Sequence, residues 1–141
     1  MRSKSKNRSG VNAASLIMLI ILLIVPSIAI SRLSGWIDWR MLIGVPIALS
    51  LFSFFSYRSD KRRAEAGAWR IPESTLHLAD LLGGWPGAFL AQRIFWHKIS
   101  KGSFQFFFWL IVLIHQFIAV DFLLDWRFTQ HATSLLKSLL G

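Results

Sequence analysis

Long uncharged apolar runs alternate along this chain with short segments that hold most of its Lys and Arg. Val11 to Ile30 supplies 20 residues without a charge, enough for a helix to cross the ~30 Å hydrocarbon core of a bilayer. Its basic leader and the Pro26-Ser27-Ile28-Ala29 stretch mimic a signal peptide, but the run exceeds the usual apolar length and further spans follow, so an uncleaved helix is expected. Met41 to Tyr57 predicts a second span at the short end of the range, with Gly44 and Pro46 near its start. Phe104 to Leu124, dense in Phe, predicts the last.

The polar segments fix what lies between. Residues 1–10 carry four positive charges without apolar periodicity and read as a basic disordered cytoplasmic tail. Trp36 and Trp39, in the Ser31–Arg40 connection, suit the membrane interface. The 58–72 segment is a basic cytoplasmic loop with five cations, Arg58, Lys61, Arg62, Arg63 and Arg70. Its first part should extend the second helix into water as far as Gly67, and Pro72-Glu73 reads as a new helix start. Residues 125–141 form a tail whose Leu135, Leu136, Leu139 and Leu140 suit a helical turn lying on the interface.

Residues 73–96 admit two readings. They are long enough to span, yet hold Glu73, His77, Asp80, Gln92 and Arg93 around a central Gly83-Gly84-Trp85-Pro86-Gly87. As a continuous helix, Gly83, Gly84, Gly87, Ala88 and Ala91 give small-residue spacings that let helices approach closely in lipid. As a re-entrant hairpin, the segment turns at GGWPG under a cover of protein. The expected fold is therefore an all-α membrane bundle of four transmembrane helices, with a re-entrant third segment as the alternative. Four spans put 11 of the 16 Lys and Arg on one side and the hairpin puts 12, with the N-terminus cytoplasmic in both.

Composition narrows function more than it assigns it. A net charge of +9 in a chain 54% apolar, with its cations flanking the spans, points to the anionic headgroups of a membrane. Nucleic acid is not expected as a partner; a homo-oligomer is allowed. The absence of Cys removes thiolate metal sites and a Cys nucleophile, and no cofactor or metal motif is present.

On a helical wheel Glu73, His77, Asp80, Gly84, Gly87 and Ala91 form one stripe, polar at one end and small in its middle. Glu73, His77, His97 and Asp60 are the candidate catalytic groups. Arg62, Arg63, Arg70, Arg93, Lys98 and Lys101 are candidate phosphate or headgroup contacts. The blander expectation for all of these is pairing and anchoring at headgroup depth. For His115 and Gln116 a helix-to-helix hydrogen bond is the simpler expectation, with an ion path as the sharper one.

The stretch from Asp60 to Phe104 carries Asp60-Lys61, Trp69-Arg-Ile-Pro-Glu73, Gly83-Gly-x-x-Gly-Ala88 and His97-Lys98. With the aromatic span behind it, it resembles a bacterial membrane family labelled domain of unknown function 1294, over about residues 53–123. Ile99-Ser100 and Asp80 depart from that pattern. The resemblance implies no activity. Some relatives carry a cold-shock domain in front, which this chain does not match. The expectation is thus a non-enzymatic lipid- or partner-binding module, against a headgroup-modifying enzyme or a small oligomeric transporter.

Overall fold

The computed structural model describes residues 11–141, all of whose regular elements are helical. The tail expected at residues 1–10 lies outside them. Helix α1 runs Ala13–Leu33, opened by Asn12, whose side chain accepts the Ser15 N–H at 2.8 Å. Helix α2 runs Trp39–Glu65, opened by Asp38 accepting from Arg40 N, and carries the first basic residues of the following segment as helix. The chain then turns at Gly67, whose φ of 65° favours glycine. Helix α5 is Gly102–Leu123 and α6 is Arg127–Leu140.

Three helices, α1, α2 and α5, are long and apolar enough to cross a membrane. Their Ile, Leu and Phe side chains stand largely exposed, as at Ile20, Ile21, Phe52, Phe106 and Leu113. So continuous an apolar surface points to association with lipid.

The continuous third helix expected at 73–96 does not form. Helix α3 is only Glu73–Ala79, a π-type turn follows over Asp80–Gly84, and α4 is Trp85–Phe95. The break is at Gly83, where φ is 123°, a conformation that a side chain disfavours. The two arms then fold back beside α2. Near one end of the pair, Ile71 and His97 both reach Asp60; near the other, Gly84 and Gly87 press on Leu49 and Ser50. Ten residues of α2 separate those contacts, about 15 Å of helix. Among the described residues three helices, rather than the four expected, have the length and apolarity of a span.

The packed core sits where α2, the hairpin and the first half of α5 meet. Tyr57, Leu76, Phe89, Phe104, Phe108 and Val112 are fully buried there. Helix α1 lies along α5, joined near their ends by Arg32 donating to the Leu123 carbonyl at 2.8 Å.

Candidate functional site

Ser50, Ser53, Tyr57 and Asp60 recur at spacings of 3, 4 and 3 along α2, so they face one way, toward the hairpin. Two polar clusters form on this stripe. The first surrounds Asp60, which is completely buried. Its Oδ1 accepts the Ile71 N–H at 2.9 Å, while Oδ2 lies 2.6 Å from His97 Nε2 and 3.1 Å from Lys98 Nζ. Beside the Lys98 ammonium the carboxylate is ionised and accepts only, so His97 donates from Nε2. Lys98 also lies 3.6 Å from Glu73 Oε1, which Lys101 Nζ approaches to 2.6 Å, and 4.8 Å above the Phe104 ring.

The backbone is bent to make this possible. Trp96 and Lys98 both adopt left-handed φ, 50° and 62°, on either side of His97. Such conformations cost about 1–3 kcal/mol each for residues other than glycine and persist only where the surroundings hold them. Here the buried carboxylate does so, drawing two successive side chains inward. Burial pushes the His97 imidazole below its usual range, against the opposing pull of Asp60. The hydrogen bond from Lys101 holds the Glu73 carboxyl below its ordinary value.

The second cluster lies deeper, around a fully buried Asp80. Ser53 Oγ donates to Oδ1 at 2.6 Å and Tyr57 Oη to Oδ2 at 2.7 Å. The Gln92 amide reaches Tyr57 Oη at 3.5 Å, and Gln105 donates to Gln92 Oε1 at 2.6 Å and to the Lys98 carbonyl at 3.2 Å. The network thus runs from the turn after α4 down to the hairpin interior. His77 stacks on Phe104 at 4.2 Å, with its buried Nδ1 lacking a hydrogen-bond partner and 4.0 Å from Asp80 Oδ2.

The four candidate catalytic residues do not share one point. Asp60 pairs with His97, Glu73 with Lys98 and Lys101, and His77 faces Asp80. Among the described residues no three of His, Asp and Glu come together as metal ligands would. The candidate headgroup contacts divide too. Lys98 is buried in the first cluster and Lys101 pairs beside it, whereas Arg62, Arg63 and Arg70 stand exposed. Arg93 lies over Phe89 of its own helix, 3.5 Å from the ring centre. Gly84 and Gly87 sit against α2 with no room for a side chain, Gly83 makes the turn, and Ala88 and Ala91 are buried on α4. His115 bonds the Ile111 carbonyl of its own helix, and Gln116 donates to the Leu22 carbonyl of α1 at 2.8 Å. Reading by residue type missed Ser53, Tyr57, Gln92 and Gln105, though the 3-4-3 spacing on α2 was available to find the first two.

The family model described as protein of unknown function (DUF1294) matches residues 50–104. The chain is also 33% identical over 60 residues to the uncharacterised protein YsdA of Bacillus subtilis (strain 168), a match covering 43% of this chain and 67% of that relative. The chain belongs to this family. No solved structure matches it. The family stretch begins at Ser50, against which Gly87 packs, and ends at Phe104, under His77 and Lys98. It therefore contains nearly all of both polar clusters, while α1 and α6 lie outside it.

Proposed function

We propose that this is a multi-pass protein of the bacterial inner membrane that binds anionic lipid headgroups at its cytoplasmic face and catalyses no reaction. In this reading α1, α2 and α5 span, and α3–α4 is a re-entrant hairpin covered by α2 and α5. The N-terminus, the 58–72 loop, and the last turn of α4 with the turn after it share the cytoplasmic side, with 12 of the 16 Lys and Arg.

The observation that carries it is the division of labour among charges. The acids suited to chemistry are spent on internal partners: Asp60 is fully buried and His97 only 6% exposed, so a substrate would have to open the pair to reach them. Arg58, Arg62, Arg63 and Arg70, by contrast, form no salt bridge among the described residues. Trp69 stands among them, 87% exposed, as an interfacial indole would. Each such cation is worth about 1 kcal/mol of attraction to an anionic leaflet.

The test is the lipid selectivity of the reconstituted protein. Spin-labelled phosphatidylglycerol should be held at the protein surface in preference to phosphatidylcholine, and the preference should fade with salt. Replacing Arg62, Arg63 and Arg70 together by Gln should bring the two lipids close to parity. Selectivity that ignores both salt and the triple substitution would refute headgroup binding by this loop.

A further inference from the structure

Two cavities meet at the end of the molecule opposite the basic loop. One, of about 360 Å³, lies between α1 and α5 and is walled by Pro26, Ala29, Ile30, His115, Ile118 and Ala119. Its inner end is closed by Trp85, the buried indole at the hairpin tip, whose ring lies 6.4 Å from that of His115. The other, of about 390 Å³, is lined by Arg32, Trp36 and Asp125. The two share Leu33, Phe122 and Trp126, so an apolar slot opens directly into a polar mouth.

From this juxtaposition we infer a binding site for a phospholipid of the leaflet opposite the basic loop, with one acyl chain in the slot and a zwitterionic ethanolamine headgroup in the mouth. The inference rests on the reading that α1 and α5 span the bilayer. Both cavities are of ligand size, and the slot is apolar as a hydrocarbon chain requires. The headgroup follows from charge. Arg32 Nη2 lies 3.0 Å from Asp125 Oδ1, and both side chains remain substantially exposed, at 48% and 77%. The guanidinium keeps further donors for a phosphate, and the carboxylate beside it suits the ammonium. A purely anionic headgroup would bring no cation of its own, leaving Arg32 alone to answer both the phosphate and Asp125. Trp36, 89% exposed at the mouth, offers its indole at headgroup depth. The chain would rest on Trp85, which ties occupancy of this slot to the seating of the hairpin from the other side.

Native mass spectrometry of the full chain tests the site after reconstitution in equal parts phosphatidylethanolamine and phosphatidylglycerol and mild re-extraction. The wild type should keep one phosphatidylethanolamine. R32Q should raise the detergent sensitivity of that lipid about tenfold. A119F, which fills the slot, should abolish its retention, and D125N should reduce the preference over phosphatidylglycerol. L113A, on the outward face of α5, should change nothing. Retention of both lipids alike, or retention unaffected by R32Q and A119F, overturns the proposal. So does a wild type that keeps no lipid although it resists alkaline carbonate extraction. Release by carbonate would instead refute the spanning reading itself. R32Q alters an exposed side chain, so it decides the matter even if A119F fails to fold.

Discussion

With Asp60 replaced by Asn, Lys98 keeps its charge in a pocket where only Glu73, at 3.6 Å, is left to answer it. Removing one partner of a buried pair costs about 3 kcal/mol, because the other charge is stranded. The D60N protein should therefore lose several degrees in thermal unfolding in detergent, and become more susceptible to proteolysis near Arg70. A midpoint equal to wild type would show that the pair does not hold the hairpin. His97 supplies a second prediction, from pH. Its folded-state pKa lies below the ordinary 6.5, so the unfolded chain takes up the proton first. The contribution is fully present above that value and is lost as pH falls toward the depressed folded value. Between pH 7 and 5 the wild-type midpoint should fall more steeply than that of H97Q; parallel curves would mean the imidazole is not buried neutral. Asp60 and His97 were visible in the sequence as candidates, but their meeting was not, because 37 residues separate them and left-handed turns at Trp96 and Lys98 bring them together.

At the scale of elements, the hairpin depends on how closely α4 can approach α2. A Cβ on Gly87 would overlap the Ser50 carbonyl, whereas at Gly44 it would meet nothing within 4 Å. G87A should thus cost about 1–3 kcal/mol through overpacking. G44A should be neutral or gain up to ~1 kcal/mol of helix propensity. The difference between their unfolding midpoints is the measurement, and equal midpoints would mean that the hairpin tip is not seated on α2. Much of this was legible: the three long apolar helices, the basic extension of α2 and the turn at Gly67 all follow from pattern. The direction of the chain after Asp80 was not. Helical periodicity is the same for a straight helix and for two arms joined at Gly83, and only long-range partners choose between them. The polar stripe on α2 escaped for a different reason. Its members Tyr57 and Asp60 fall on either side of the boundary between an apolar span and a charged segment, so they read as separate features.

For the whole molecule, the reversal at Gly83 changes which ends share a side of the membrane. A continuous third span would send Ser100 across to the face opposite Ser74 and return Ser134 to the first. The hairpin keeps Ser74 and Ser100 together, as the meeting of Glu73 with Lys98 and Lys101 requires, and under the proposed three-span topology Ser134 would join Ser34 on the other face. The Arg32–Asp125 pair agrees, since it joins the last turn of α1 to the residues just after α5. The chain contains no cysteine, so single Cys substitutions at these four exposed serines can be labelled without background. An impermeant maleimide applied to spheroplasts should reach S34C and S134C and leave S74C and S100C unlabelled until the cells are lysed. Labelling of S100C from outside, with S134C protected, would restore the four-span arrangement. It would also separate Glu73 from Lys98 by the thickness of the bilayer, and with it dismantle the Asp60 cluster on which the proposed cytoplasmic face depends.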